Sequence, residues 1–493
     1  MKKAVPYILV VAVFLLLASN RLLTRGMFCD GVVYTAIASN YAHGIGSFWE
    51  PRFTETINGN PPPLRGVAVE EQPAHTQIQG HVFYAHPALM MVILSVWMRI
   101  FGTGIIVAKL YSLAIMLLTA LLMVRLWRRL GFGRETGWLP LLLWLLIPPV
   151  THFSCYNMLE PTMLVFILGA ILCVLREGRH EWAWHLLAGG FLFLAFLTKE
   201  FTGLFPLVLP AVLWLTKMRD HSFGRMVALT AWMLAGLLLP CAIVFAFVPG
   251  ALPFFEQYFN IQIMGQAVHG YDHNRLRIVG HFFLHSGIAM TIVAIVLLVR
   301  KAKLKGDWCP PTENLWTAVA MFIFALCGVL PLMVSAKASD YFLLTAFPFF
   351  SISMAALLEP WAESFGDRLG RGRCAAVVMV LLVAAVVLNV VFAGRPGRDE
   401  VCQEDLAVIA PHLDEGEVVT MPGEVFDDYY ELTLAGYYYI DRRVSLDSNV
   451  IYRHVLTTES AGLGKFADTC EAAYRRVDIP TKDFVLYEKK TEK

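Results

Sequence analysis

Charged residues are scarce in this chain, and that scarcity restricts what it can be. They account for 16% of its 493 residues, while hydrophobic residues account for 57%. Soluble domains usually carry about 25% charged residues. The composition therefore excludes a disordered chain, a disulfide-stabilised miniprotein and an ordinary water-soluble enzyme. A net charge of +1 also argues against nucleic acid as a general partner.

Several familiar motifs are missing as well. The sequence contains no Walker loop and no Gly-x-Gly-x-x-Gly stretch that opens a helix after a strand, so nucleotide hydrolysis is not supported. Its nine cysteines show neither Cys-x-x-Cys pairs nor the Cys/His spacing of zinc sites. Cys402 and Cys470 both lie in the C-terminal part, where an oxidising compartment would permit a disulfide bond between them.

The charge that is present is unevenly placed. Residues 394–493 hold 32 of the 79 Asp, Glu, Lys and Arg residues, which leaves about 12% charge in residues 1–393. We therefore predict a transmembrane domain over residues 1–393 and a small extracytoplasmic α/β domain over residues 394–493. Stretches such as EVVTMPG, AGYYYIDRRVS and DFVLYEK in the second domain are typical of short strands.

Long apolar runs dominate the first domain. Because lipid offers no partners for backbone polar groups, each such run is expected to form a helix. The first run resembles a signal peptide, but many spans follow it and no convincing cleavage site ends it, so we expect a retained helix. The sequence predicts an all-α polytopic membrane protein with about eleven spans, near residues 4–20, 104–124, 137–150, 160–175, 183–198, 202–216, 226–248, 278–299, 314–334, 341–358 and 374–393.

The positive-inside rule orients these spans. If the apolar run His86–Phe101 lies along the membrane surface, the inside segments carry 18 Lys and Arg residues and the short outside loops carry four. If the run spans, this bias reverses. We therefore predict that His86–Phe101 is a juxtamembrane helix, with the N-terminus cytoplasmic and the C-terminal domain outside the inner membrane.

Polar residues that do not serve as cytoplasmic anchors collect on the predicted outer face. Asp30 follows the first span, where it suits a general base, although a helix N-cap explains it equally well. Glu160 opens a helix beside a proline, and two lysines lie where the positive-inside rule does not call for them. Residues 59–82 are typical of a mobile lid or a disordered tip. The predicted catalytic residues are Asp30 and Glu160, and the predicted substrate-binding residues are Tyr84, His86, Lys199, Glu200, Lys337, Asp340 and Tyr341.

Carboxylates and lysines on one side of a lipid-embedded scaffold suit group transfer from a polyprenyl phosphate. A carboxylate would act as base and the cations would hold the departing phosphate. The pattern leaves two other interpretations open. A transporter or flippase would place ionisable groups in mid-membrane and often shows repeats. A structural or polymer-assembly membrane protein would not bring these residues together.

Five motifs, in order, resemble those of a known family. They are Asp30 after the first helix, Tyr84-Ala85-His86-Pro87, Asn157-Met158-Leu159-Glu160-Pro161, Thr198-Lys199-Glu200, and Lys337 followed by Tyr341-Phe342-Leu343-Leu344. The chain thus resembles the GT-C fold membrane glycosyltransferases, specifically the family 39 and aminoarabinose-transferase-like group.

The resemblance implies a function for these motifs. It implies inverting sugar transfer from a polyprenyl-phosphate donor to lipid A, a polysaccharide or a protein, without metal or other cofactor. Asp30 and Glu160 match the family's loop acids and His86 matches its loop-closing motif. Lys199, Lys337 and Tyr341 match its donor phosphate site.

Overall fold

The structure is a computed structural model. It describes residues 5–24, 26–52, 78–79, 82–153, 155–264, 274–304, 309–335, 339–368, 371–395, 400–414, 417–428, 444–447 and 451–490.

The described part is mainly helical up to residue 395. In chain order the helices are α1 Val5–Leu23, α2 Cys29–Ala42, α3 Leu89–Phe101, α4 Ile105–Arg129, α5 Trp138–Leu145, α6 Pro148–His152, α7 Leu159–Val174, α8 Glu181–Lys199, α9 Leu209–Leu215, α10 Phe223–Phe247, α11 Ala251–Tyr258, α12 Arg277–Leu304, α13 Thr312–Val329, α14 Phe347–Arg368 and α15 Arg371–Phe392. Each predicted apolar run is therefore helical.

Several of these runs are interrupted rather than continuous. The run after α8 begins as a 3₁₀ segment, Glu200–Val208, and another, Asp340–Thr345, precedes α14. Among the described residues, six helices are long and apolar enough to cross a membrane by length and composition. The predicted total of about eleven spans is therefore not confirmed. Helix α3, at 13 residues, extends only about 20 Å, which agrees with a juxtamembrane position that remains a prediction.

The described chain forms two compact units. The first comprises residues 1–23, 109–249 and 270–393, and the second comprises residues 24–108, 250–269 and 394–493. The last boundary falls between Ala393 and Gly394, where the charge distribution changes.

Closely packed helices form the core of the first unit. Helix α8 packs between α7 and α10, α13 packs on α14, and α1 packs on α15. A Cβ atom at Gly189 would lie 2.1 Å from the carbonyl oxygen of Met233, and one at Gly236 would lie 2.0 Å from that of Leu186. Only glycine permits this approach of α8 and α10, a form of packing common between membrane helices.

The second unit contains the described part of the predicted first outer loop. Helix α2 packs on α3, and the side chain of Arg99 donates a hydrogen bond to the carbonyl oxygen of Tyr41 at 2.7 Å. Trp49 contacts the ring of Phe254 in α11 at 5.9 Å. Most of the predicted lid, residues 59–82, lies outside the described residues.

The described part of residues 394–493 has the predicted α/β character. The strands are β1 Ile78–Gln79 and β2 Val82–Phe83 in the predicted first outer loop, then β3 Glu417–Thr420, β4 Val444–Asp447, β5 His454–Thr458, β6 Tyr474–Arg476 and β7 Phe484–Lys489. The last five form one mixed sheet in the order β4-β3-β5-β7-β6, in which β3 is parallel to both of its neighbours. Among the described residues, three helices accompany it: α16 Glu400–Ile409, α17 Gly423–Asp428 and α18 Ala467–Ala473.

The two faces of this sheet carry separate hydrophobic clusters. Leu456 belongs to the cluster that contains Cys402, and Val455 belongs to the one that contains Cys470. Successive side chains of a strand point to opposite faces. Both cysteines are buried, on opposite sides of the sheet, and no disulfide bond joins them in this structure.

Candidate active site

A buried ion pair joins the ends of α7 and α8. The ammonium group of Lys199, the last residue of α8, donates a hydrogen bond to Oε1 of Glu160, the second residue of α7. The Glu160 residue is 1% exposed and Lys199 is 5% exposed. Two residues that the sequence predicts as site residues are thus brought together, although they are far apart in sequence.

Polar contacts with α4 fix the start of α7. Asn157, just before the helix, is buried with φ of 49°, and its backbone N–H donates to Oγ of Ser112 at 2.9 Å. Tyr111 and Thr162 share a hydrogen bond of 3.0 Å between their hydroxyl groups. Glu160 lies between these anchors in the first turn, where the helix dipole favours a carboxylate.

A strained residue follows Lys199. Glu200 is 5% exposed and has φ of 45° and ψ of −136°. A side chain other than glycine rarely adopts such a conformation, which costs roughly 1–3 kcal/mol and often marks a functional site. The turn directs the chain from α8 into the 3₁₀ segment, so that Lys199 stands at the tip of its helix.

Aromatic rings cover the ammonium group. Nζ of Lys199 lies 4.4 Å from the ring centre of Phe342 and 5.2 Å from that of Tyr341. Tyr341 in turn contacts Phe153 edge to face, with 5.6 Å between ring centres. Ring faces are negative, so they stabilise a cation in a partly dehydrated place. The predicted association of Tyr341 with Lys199 therefore has a geometric basis.

The same end of the first unit holds cationic and polar residues that the sequence analysis missed. Nη1 of Arg21 donates to the Tyr156 hydroxyl at 3.4 Å, and Nζ of Lys109 donates to the carbonyl oxygen of Arg21 at 2.9 Å. The ring of His152 lies 5.5 Å from that of Tyr156. Lys109 carried a usable signal, because a lysine at the predicted outer end of a span does not satisfy the positive-inside rule.

His152 is neutral at physiological pH. Burial, together with the nearby charge of Arg21, lowers the pKa of His152 to about 4. An uncharged imidazole can donate or accept a hydrogen bond beside the two cations without adding to their repulsion.

Asp340 belongs to a different cluster from the one that the sequence suggests. Its carboxylate contacts His281 at 2.6 Å and His285 at 3.1 Å, and both histidines lie on α12. Partial burial raises the pKa of Asp340, but the contacts with the two histidines outweigh this and hold it below the usual value. Neither histidine was singled out in the sequence.

Three further site residues lie in the second unit. Asp30 is in the first turn of α2, whose N-cap is Phe28, so the N-cap interpretation of Asp30 is wrong by two residues. Tyr34, one turn later, contacts the ring of His86 at 6.2 Å. Tyr84 contacts Phe254 at 5.7 Å, and burial raises its pKa. Lys337 lies outside the described residues.

The first unit thus presents a buried ammonium group with unused hydrogen-bonding capacity. An ammonium group has three N–H donors. One donates to Glu160, and the part of the chain that the structure describes gives the other two no oxygen acceptor. Oε2 of Glu160 is also buried without a hydrogen-bond partner among the described residues. Such a pair is suited to an anionic ligand that also bears a hydroxyl group.

Comparisons with known proteins bear on the fold of the chain. The family model of dolichyl-phosphate-mannose-protein mannosyltransferases matches residues 85–246. ArnT from Cupriavidus metallidurans bound to undecaprenyl phosphate is similar over 98% of this chain and 97% of that chain, with a TM-score of 0.62 and 12% identity. ArnT in the apo state gives 0.61 and 13%, over 97% and 95% of the two chains. Among curated protein sequences, none matches.

This chain has the GT-C fold. The resemblance stated from the sequence motifs is therefore confirmed at the level of fold, as is a membrane protein with a small C-terminal α/β domain. The identity with ArnT is too low for residue roles to follow from it, and the roles of the individual site residues stay predictions.

Proposed function

We propose that the chain is a membrane glycosyltransferase. It transfers a hexosyl or pentosyl group from a polyprenyl-phosphate donor to a lipid, glycan or protein acceptor, with inversion, at the outer face of the inner membrane. The observation that carries the proposal is the likeness, over nearly the whole chain, to an ArnT structure whose ligand is undecaprenyl phosphate. The matching family model names a dolichyl-phosphate sugar, which is also a polyprenyl-phosphate donor.

Lys199 is the proposed contact for the donor phosphate. Its ammonium group is charged, buried and provided with only one oxygen acceptor among the described residues. Phosphate oxygens would accept hydrogen bonds from the other two N–H groups of Lys199, and this fixed charge would replace part of the hydration of the phosphate. As the sugar leaves, negative charge grows on the phosphate, so the interaction strengthens in the transition state.

Glu160 is proposed to position Lys199. Its Oε1 atom holds the ammonium group, and its Oε2 atom remains available for a hydroxyl group of the sugar. The sequence predicts Glu160 as a catalytic residue. We propose instead that Glu160 binds the sugar and orients Lys199.

Asp30 is the proposed general base. The residue is partly exposed, and the structure places it in the first turn of α2. A carboxylate in that place can accept the proton of an attacking hydroxyl group, which usually contributes about 10²–10⁴-fold to the rate.

The alternative of a transporter or flippase lacks a supporting observation. Asp30, Glu160 and Lys199 all lie in the first or last turn of a helix. Transporters place their ionisable groups near the middle of the membrane.

The decisive experiment compares cells that express the wild type or Asp30→Asn in a deletion background. Mass spectrometry of lipid A, surface glycans and envelope proteins should show one sugar modification that disappears on deletion. The wild type should restore it, and the variant should reduce the initial rate by at least about 100-fold, because the base is lost.

Asp220→Asn is the matched control, because Asp220 is exposed in a loop and has no ion pair among the described residues. It should restore the modification fully. If Asp30→Asn, inserted at the wild-type level, also restores it, Asp30 is not the base. If deletion changes only the side of the membrane on which a lipid-linked sugar is found, the transporter interpretation replaces transfer.

A further inference from the structure

Four arginines line one cavity in the first unit. Arg125, Arg128 and Arg129 lie at the end of α4, and Arg176 follows the end of α7. The cavity has a volume of about 530 Å³, which falls within the range of roughly 300–1,000 Å³ that is usual for small-molecule sites. The molecule therefore offers a cationic cavity large enough for an organic ligand.

This cavity is separate from the candidate active site. The Glu160–Lys199 pair joins the start of α7 to the end of α8, whereas Arg176 lies beyond the other end of α7. Helix α7 has 16 residues and extends about 24 Å. Nothing in the inference about the cavity depends on the proposed sugar transfer.

The four arginine side chains lack an anionic partner in the part of the chain that the structure describes. None of them forms an ion pair there, and no aspartate or glutamate lines the cavity. Arg125 is three residues from Arg128 and four from Arg129, so the three share one face of α4, where like charges repel each other. A bound anion would relieve this repulsion.

An aromatic ring orients one of the guanidinium groups. Cζ of Arg176 lies 3.9 Å from the centre of the Trp184 ring, and the residue is partly buried. Stacking on the ring restrains the plane of the guanidinium group but leaves the N–H donors at its edge free. Such a planar set of donors matches two oxygens of a phosphate group.

We propose that this cavity binds the phosphate group of an anionic membrane lipid. Leu172 and the ring of Trp184 add apolar surface to the lining, which suits the hydrocarbon next to a lipid headgroup better than a free phosphate ion. Helix α4 is long and apolar enough to cross a membrane, so its arginine-bearing end is expected at the level of the headgroups. Basic pockets between membrane-spanning helices commonly hold phospholipid headgroups.

Two general effects account for arginines at this end of the helices but not for their arrangement. The positive-inside rule depends on the number of Lys and Arg residues in a segment, and the helix dipole favours cations in the last turn. Neither effect requires four guanidinium groups to line the same cavity. Their convergence is the observation that points to a ligand.

Native mass spectrometry of the full chain in detergent measures the binding. Phosphatidylglycerol and phosphatidylcholine with identical acyl chains are titrated separately, because only the first has a net negative headgroup. The wild type should retain one phosphatidylglycerol at a concentration at least about tenfold lower than it needs for phosphatidylcholine. Arg128→Gln combined with Arg176→Gln should weaken the retention of phosphatidylglycerol at least about tenfold.

Arg179→Gln combined with Lys303→Gln is the matched control. Both residues are exposed, lie in predicted inside segments and do not line the cavity, so the control removes the same charge elsewhere. It should bind phosphatidylglycerol as the wild type does. Arg176→Lys keeps the charge and loses the planar donors, so a monodisperse sample that binds severalfold more weakly supports the proposed contact.

Inorganic phosphate distinguishes a lipid headgroup from a soluble ligand. We expect millimolar phosphate to leave the melting temperature of the wild type unchanged. A rise in the wild type that is absent from the Arg128→Gln, Arg176→Gln variant would support the phosphate site and assign it a soluble ligand. Equal retention of both lipids by the wild type without a phosphate effect, or equal loss of phosphatidylglycerol in the two double variants, overturns the proposal. The arginines would then be orientation signals only.

Discussion

In the first unit, Glu160 and Glu181 are buried at opposite ends of the α7–α8 pair, and different partners hold them. Glu160 begins α7 and Glu181 begins α8, and because a short connection joins these antiparallel helices, the two residues lie at opposite ends. Their burial is similar, with Glu160 1% exposed and Glu181 4% exposed. Any difference in role must therefore come from their partners.

Arginines surround Glu181. Its Oε2 atom accepts from Arg225 at 2.5 Å, while Arg219 and His221 each lie 3.6 Å from its Oε1 atom. Guanidinium groups are planar, permanently charged and suited to fixed ion pairs. This end has the character of a structural clamp between α8 and α10.

At the other end of the helix pair, a single lysine, Lys199, is the ion-pair partner of Glu160. Lysine is a compact charge whose three donors are free to turn towards different acceptors. Rings, rather than further carboxylates, cover the ammonium group. Oε1 of Glu181 is buried without a hydrogen-bond partner among the described residues, as is Oε2 of Glu160, so the two ends differ in the cations around the carboxylate and not in unsatisfied oxygens. The comparison suggests that several protein cations neutralise Glu181, whereas Glu160 has one cation that a ligand can share.

The largest expected effect follows from removal of the Lys199 charge. Lys199→Met should reduce sugar transfer by at least about 100-fold, as does loss of one stabilising donor in other enzymes. Because the substitution leaves Glu160 buried and unpaired, it should also destabilise the protein by about 3 kcal/mol. Initial rates in membrane vesicles and thermal unfolding in detergent measure the two effects.

A double variant separates activity from stability. Glu160→Gln combined with Lys199→Met removes both charges, so the protein should recover most of its melting temperature and none of its activity. Lys303→Met, on the exposed last turn of α12, is the control and should match the wild type. Recovery of transfer in the double variant would show that the pair acts through stability alone.

At the Glu181 end, a substitution should lower the stability of the protein but have little effect on turnover, in contrast to Lys199→Met. Glu181→Gln leaves two arginines near a neutral group and should destabilise the protein by about 3 kcal/mol, with little change in turnover per folded molecule. The matched control is Glu177→Gln. Its side chain is 70% exposed and pairs with Arg219 at 2.6 Å, and such a pair contributes only about 0–1 kcal/mol. A large loss of turnover in Glu181→Gln would remove the distinction between the ends.

A third buried carboxylate extends the comparison to the C-terminal domain. Asp405 is 1% exposed, and its oxygens accept backbone N–H groups of Lys482, Asp483 and Phe484, each at 2.8 Å. Asp405→Asn should weaken the attachment of α16 to β7 by about 2 kcal/mol, because a hydrogen bond to a charged group is worth more than a neutral one.

Limited proteolysis of the full chain measures this effect through the rate of cleavage within residues 400–490. Asp478→Asn, at an exposed position without an ion pair among the described residues, should be cleaved at the wild-type rate. Equal rates for the two variants would mean that the three backbone contacts contribute little.

Sequence alone placed Glu160 and Lys199 at helix ends, but other helix ends and the connections differ from the prediction, since the span predicted near residues 341–358 is the helix Phe347–Arg368. Glu160 and Lys199 could be placed because each interrupts an apolar run at its boundary. The turn at Glu200 could not be predicted, since apolar composition does not reveal a positive φ that tertiary packing enforces. The spacing of His281 and His285 is visible in the sequence, but their partner Asp340 is remote, and only the fold brings the three together.

The smallest expected effect concerns a carboxylate at the edge of the C-terminal domain. Glu417 contacts His454, and although burial raises the pKa of this carboxyl group, the contact with the imidazole outweighs it and holds the pKa below the usual value of 4.5. A lowered pKa contributes stability that is complete above the unfolded value and is lost as pH falls through the folded value.

Pepsin cleavage of the full chain between about pH 5 and pH 3 tests this contribution, since stability lost on acidification exposes the sheet. In the wild type, cleavage near β3 and β5 should rise as the pH falls below 4.5. Glu417→Gln should be cleaved faster at pH 5 and show a smaller increase, with a difference of at most about 1 kcal/mol because the pair is partly solvated. Glu471→Gln, at an exposed site, should follow the wild type. An unchanged pH profile in Glu417→Gln would assign the acid sensitivity of the sheet to another group.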